Sequence, residues 1–277
     1  MRALPSSAIV AGLIGTFALA QSAHAWECEF RADRSGGIDV AGVKRIVLRT
    51  GAGDLKATGR DAAARIEASG VACASTKELL DATTINVRRE GDTAFIETAI
   101  PVERLKLLGN SYAYIDLVAR LPSNLPVDAQ DSSGNAVLAG LAALTMRDSS
   151  GDLEIAHVPG AVAVQDSSGE LHVSDAGSVR LEDSSGDVVL ERIAGAVDVV
   201  SDSSGDLTVR NVGGTVDIRQ DSSGDIRVSD VRGSVRVGVD SSGSIYARNV
   251  TGDFTVESDG SGDIEHENVK GRVRTPE

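Results

Sequence analysis

The chain has 277 residues, 41 of them acidic and 27 basic, for a formal charge of −14, and only 3% are aromatic. That balance disfavours nucleic acid and anionic lipid as partners, because the dominant phosphate interaction would be repulsive. Few aromatic rings leave little material for stacking a base or a sugar.

The N-terminus reads as a secretory signal peptide over residues 1–25. Arg2 precedes an apolar run, Ala8 to Ala20, and Ala23-His24-Ala25 forms a small-x-small cleavage site. The run is too short and wrongly flanked for a transmembrane anchor. Cleavage between Ala25 and Trp26 leaves 26 basic and 41 acidic residues once Arg2 is gone, a charge near −15. The expected location is the periplasm, or the cell surface after secretion, with no membrane span in the mature chain. Cys28 and Cys73 are the two cysteines, and in an oxidising compartment they are expected to join. Closing so long a loop has a chain-entropy value on the order of 4 kcal/mol.

Residues 26–126 read as an irregular β-rich region. Alternating and β-branched patterns predict strands over Lys44–Arg49, Arg65–Ala72, Thr84–Arg89, Ala94–Ala99 and Ala113–Leu121, with a hairpin turn at Arg89-Glu90-Gly91-Asp92. A short helix is predicted over Thr76–Ala82. The stretch Thr50-Gly51-Ala52-Gly53-Asp54-Leu55 echoes the repeats that follow and suggests a degenerate first coil. This region is expected to cap the open end of the array, where unpaired strand edges need covering.

From residue 127 to 277 the chain repeats. Asp-Ser-Ser-Gly begins at Asp131, Asp148, Asp166, Asp183, Asp202, Asp221 and Asp240, and an eighth copy at Asp259 carries Gly260 in place of the first Ser. A fixed period near 20 marks a solenoid, in which no coil can bury its apolar face alone. Within Asp202–Gln220, Leu207/Val209 and Val216/Ile218 alternate with polar residues, the pattern of two half-buried strands. The same slots hold mostly Val, Ile and Leu in every copy, which favours strands. The predicted fold is all-β: a right-handed parallel β-solenoid, or β-helix, of about eight coils of 17–19 residues behind the N-terminal cap. At about 4.8 Å per coil the rod is roughly 38 Å long.

Gly160, Gly177, Gly195, Gly214, Gly233, Gly252 and Gly271 recur before the second strand and are read as corners that need a positive φ. Asn211, Asn249 and Asn268 share a slot with Asp175 and Asp230, read as an amide ladder along the rod. The leading Asp of each phrase poses an electrostatic problem, since stacked carboxylates about 5 Å apart repel by roughly 0.8 kcal/mol per pair even in bulk water. The favoured reading is an Asx turn, each carboxylate accepting backbone N–H groups while remaining in water. The alternative is a row of Ca²⁺ ions held by Asp148, Asp166, Asp183, Asp202, Asp221 and Asp240, because hard oxygen ligands suit that cation. Apart from that, no cofactor is indicated.

The run Tyr114-Ile-Asp-Leu-Val-Ala-Arg-Leu-Pro, then Leu125 and Val127, then Asp-Ser-Ser-Gly with recurring G-D-[LVI]-x-[VL] and N-V-x-G units, resembles the bacterial putative-adhesin family of β-solenoid domains. The similarity covers roughly Gly42 to Val273. It implies an exported, non-catalytic envelope protein and leaves the ligand unspecified.

Catalytic constellations are missing from the sequence. His157, His172 and His266 fall on different coils without metal-ligand spacing, and a Ser that recurs in every coil is a corner residue rather than a nucleophile. The expectation is therefore a binding, adhesion-like or scaffold module for a protein or glycan of the cell envelope. The rival is a polysaccharide-active β-helix enzyme, which would need two carboxylates in distinct environments. In the last coil His266 and Thr275 occupy inward slots, and Lys270, Arg272, Arg274 and Pro276 break up the edge. Those features predict a monomer whose array ends in water.

Overall fold

The computed structural model of the protein describes residues 28–101, 105 and 111–276. The signal peptide expected over residues 1–25 and the Ala25–Trp26 cleavage expected after it lie outside the described residues.

The N-terminal part runs β1 (Phe30–Asp39), β2 (Arg45–Arg49), β3 (Leu55–Arg60), β4 (Arg65–Ala74), α1 (Lys77–Ala82), β5 (Thr84–Glu90), β6 (Thr93–Ala99) and β7 (Ala113–Pro122). Thr76 caps α1, its Oγ1 accepting from the Leu79 amide at 3.2 Å. The chain then enters the array with β8 (Pro126–Gln130), β9 (Ala136–Ala139), β10 (Ala143–Arg147), β11 (Leu153–Gln165) and β12 (Leu171–Glu182). Five strand pairs complete it: β13 (Val188–Ile193) and β14 (Val197–Ser201), β15 (Leu207–Val212) and β16 (Val216–Asp221), β17 (Ile226–Val231) and β18 (Val235–Asp240), β19 (Ile245–Val250) and β20 (Phe254–Asp259), β21 (Ile264–Val269) and β22 (Val273–Arg274).

Stacking follows the repeat. Strands that lead into the Asp-Ser-Ser-Gly corner pair in parallel with one another, as in β14–β16–β18–β20. Strands that leave it do likewise, as in β13–β15–β17–β19–β21. Leu153, Leu171, Val188, Leu207, Ile226 and Ile245 are successive partners in register, none more than 1% exposed. Val197, Val216, Val235 and Phe254 form the facing column, also no more than 1% exposed. Each such side chain contributes about 1.5–3 kcal/mol on burial, so the core is one continuous apolar seam between two sets of strands.

The degenerate coil expected near residue 50 is real, and its position is informative. β2 lies between β6 and β8, and β3 between β7 and β9, all in parallel register. The first coil in sequence is therefore the second in space, inserted between the β6/β7 layer and the regular array. Gly53, at φ 116°, reproduces the conformation of the Asp-Ser-Ser-Gly glycines, and Ala52 bridges Ser133. Beyond this layer β4 and β5 pair antiparallel with β7 and β6, and β1 pairs antiparallel with β4. These antiparallel strands cover the edge that the first parallel layer would otherwise expose. The disulfide Cys28–Cys73 ties the start of the described chain to β4, with the two Cα atoms 5.6 Å apart.

Two local expectations need correcting. The glycines before the second strand do not adopt positive φ; that conformation falls on the preceding slot, where Asp175, Arg192, Asn211, Asp230, Asn249 and Asn268 sit at φ 53–58°. Asn and Asp tolerate the left-handed region better than most residues, which accounts for the column except at Arg192 and at His157, whose φ is 56°. A Cβ on Gly214 would come within 2.6 Å of the Gly195 carbonyl carbon, so close stacking of coils, not dihedral freedom, selects glycine there. The other correction is β1, whose Arg-Ala-Asp-Arg-Ser-Gly-Gly sequence carries little strand signal. Its order comes from ten register partners in β4.

Candidate binding face and the buried aspartate ladder

The outer side of the strands leaving each corner carries two neighbouring columns of polar side chains. One runs Glu154, His172, Val189, Thr208, Arg227, Tyr246 and Glu265; the other includes Glu191, Arg210, Ser229, Arg248 and Glu267. Over β15–β21 these columns form an open groove of ≈ 600 Å³, with Arg210, Arg227, Ser229, Tyr246, Arg248 and Glu267 in its wall. Strand alternation produces it, since the intervening residues Val209, Val228 and Ala247 are buried.

Charge is matched along the face. Glu191 receives Arg210 Nε at 2.7 Å, is bonded by Arg192 Nη1, and lies 3.4 Å from His172 Nε2. Burial pushes the Glu191 carboxyl up, but hydrogen bonds from Arg192 and Arg210 outweigh it and hold the group below the usual carboxylate range. Arg227 reaches Asp206 at 2.7 Å and Asp225 at 2.5 Å, and its guanidinium stands 5.5 Å from the Tyr246 ring centroid. Arg248, in the same groove, makes no ion pair among the described residues. The groove therefore offers one uncommitted guanidinium, an aromatic ring and hydroxyls from Thr208 and Ser229 to a ligand.

The corner keeps the amide contacts of the expected Asx turn at Asp148 and Asp240 but overturns the expected exposure to water. Asp131, Asp148, Asp166, Asp183, Asp202, Asp221 and Asp240 do not remain in water: none is more than 3% exposed. In β16 the successive outward residues Arg219 and Gln220 shift the strand phase by one, which turns Asp221 inward. The role foreseen for the leading Asp belongs instead to the acid after the Gly. Asp187 Oδ1 accepts the Asp206 amide at 2.9 Å, Asp206 Oδ1 the Asp225 amide at 3.0 Å, and Asp225 Oδ1 the Ser244 amide at 2.9 Å. The hydroxyl of the second Ser makes a parallel ladder, as when Ser223 Oγ donates to the Ser203 carbonyl at 3.2 Å.

Donors to the leading Asp are sparse. Asp148 Oδ1 accepts the Ser149 amide at 2.8 Å, Asp240 Oδ1 the Ser242 amide at 3.2 Å, and Asp131 Oδ1 the Thr50 hydroxyl. Both carboxylate oxygens of Asp166, Asp183, Asp202 and Asp221 are buried with no well-formed hydrogen bond; the serine amides of their own turns face them and only partly offset burial. Burial, reinforced by neighbouring ladder charges, raises Asp148, Asp183 and Asp221 to about 7. Burial first, with lesser help from nearby carboxylates, brings Asp202 and Asp240 to about 6.

The histidines are dispersed. His157 lies 3.4 Å from Asp175 and His172 beside Glu191, while His266 is on the last complete coil. Among the described residues no group of three or more His, Cys, Asp and Glu side chains is placed to hold a metal ion. No described helix is long and apolar enough to cross a membrane.

Similar solved structures include a "putative cell adhesion protein" from Clostridium sporogenes, 11% identical over 89% of this chain and 99% of that one, TM-score 0.28. A "putative lipid binding protein" from Parabacteroides distasonis is 12% identical over 88% and 97%, TM-score 0.35. A "putative adhesin" from Bacteroides fragilis is 14% identical over 90% and 98%, TM-score 0.29. No curated protein sequence matches the chain. The Toastrack DUF4097 family model matches residues 43–273, from just before β2 to the start of β22. The chain belongs to the Toastrack family of β-solenoid domains.

Proposed function

We propose that this protein is an exported, non-catalytic β-solenoid of the cell envelope, and that it binds a protein or glycan on the outer face of the strands leaving its corners. The reading divides the chain into a signal peptide at 1–25, a β-rich region at 26–126 and the regular solenoid at 127–277, acting as a monomer. The observation that carries it is the groove over β15–β21, where Arg248 has no ionic partner among the described residues and lies in the same wall as Tyr246 and Ser229. Guanidinium, ring and hydroxyl together suit a hydroxylated or carboxylated ligand. Glu191, Asp206 and Asp225 are tied to arginines and the remaining outer acids are spread along the columns, whereas glycoside cleavage needs two carboxylates held in contrasting environments.

A glycan array run beside a reducing-sugar assay on the mature chain tests this reading. Binding without new reducing ends is expected, and Arg248→Glu should abolish it while leaving the melting temperature unchanged. Release of reducing ends from a bound polysaccharide would replace the binding module with a β-helix enzyme.

A further inference from the structure

Seven carboxylates stand in the interior of this protein, one per coil, and apart from one oxygen each of Asp131, Asp148 and Asp240 their oxygens lack the donors that buried charge requires. Asp221 and Asp240 are direct register partners, Asp240 and Asp259 likewise, and Asp202 bridges Asp221. Consecutive members are thus one coil spacing apart, about 4.8 Å. Groups facing them from adjoining elements are also acidic or neutral: Asp54 toward Asp131, Asp187 toward Asp202, Asp225 toward Asp240, and the serine amides of each turn. No described basic side chain forms an ion pair with the ladder.

An asparagine in this slot would supply a donor to the next coil and an acceptor to the previous one. Aspartate can do the same only when it carries a proton. We propose that the aspartate ladder is a proton-binding site, in which protonated members donate O–H to the carboxylate of the adjacent coil. Each shared pair takes up one proton from the medium on folding and releases it on unfolding, so charge balances along the column.

The sign of the pH effect follows from this uptake. A carboxyl whose folded pKa is raised stabilises the fold fully below the unfolded value near 3.8, and that contribution is lost as pH rises through the folded value of about 6–7. Asp175, Asp206, Asp253 and Glu191, held low by their partners, act in the opposite direction. The ladder is therefore read by comparison with a neutral isostere, not from the wild-type profile alone.

The experiment melts the full mature chain and its Asp202→Asn/Asp221→Asn double variant between pH 4 and pH 8, in EDTA and in millimolar Ca²⁺. Expected is a Tm difference in favour of the variant that grows with pH and reaches roughly 3–8 °C at pH 8, with Ca²⁺ without effect on either protein. A variant that melts below the wild type at pH 8, or fails to fold, would overturn the proposal. So would a rise in wild-type Tm with Ca²⁺ that the variant lacks, which would make the column a cation row.

Discussion

The Nδ2 of Asn249 donates to Oδ1 of Asp230 at 2.8 Å across one coil, and both residues sit in left-handed backbone, at φ 56° and 58°. Asn268 continues the chain of amides, donating to Asn249 Oδ1 at 2.8 Å. One slot thus meets a dihedral requirement and an inter-coil bond at once. Asn249→Ala should lose about 1–2 kcal/mol, because alanine pays the left-handed penalty and removes the bond. Asn249→Gly should lose less, since glycine meets the dihedral requirement. Urea denaturation of both variants checks the order; equal losses would mean the dihedral is immaterial.

The Asp-Ser-Ser-Gly glycine is constrained twice. Gly224 has φ 122°, and a Cβ there would lie 1.8 Å from the Gly205 carbonyl oxygen. Gly224→Ala should therefore force coils apart and cost more than about 2 kcal/mol. Gly91, in the β5–β6 turn at φ 61°, meets nothing within 4 Å, so Gly91→Ala should cost only about 1 kcal/mol. Chemical denaturation of the pair measures the difference.

Strand phase can be tested at adjacent residues. Val209 is fully buried whereas Thr208 is half-exposed in the groove wall. Val209→Asp should cost several kcal/mol by burying an unpaired charge, and Thr208→Asp little. Equal thermal shifts for the two would place the alternation one residue out of phase.

The Cys28–Cys73 bond spans 45 residues, and the chain-entropy estimate gives its loss a cost of about 4 kcal/mol. Non-reducing alkylation followed by intact mass should find no free thiol, and reduction should lower the melting temperature. Two labelled cysteines would contradict the pairing.

Much of this fold was legible because a solenoid writes its register into its period. The columns headed by Leu153 and Val216 were readable as ladders, and the echo at Thr50–Leu55 announced an extra coil. What the sequence could not disclose was the order of layers, because nothing local tells β2 and β3 to insert between β6/β7 and β8/β9. β1 was likewise hidden, its strand state imposed by β4. At the corner, period-two reasoning placed the leading Asp outside, since it could not anticipate the two successive outward residues that turn Asp221 inward. The repeated Asp in an otherwise ordinary turn was the available signal: a solvent-facing acid could vary from coil to coil, as the slot after the Gly does at Asn135, Glu170 and Ser244, whereas this one is Asp in all eight copies. The groove was legible only as a variable outer column.

The ladder's protonation is open to direct observation. Site-resolved ¹³C titration of the aspartate carboxyl groups by NMR should show members among Asp148, Asp183 and Asp221 holding their proton to near pH 7, with coupled steps spread over neighbouring coils. If every ladder carboxyl instead titrates in one step below about pH 4.5, near the ordinary aspartate value, the column is ionised at neutral pH and the proton-sharing account is wrong.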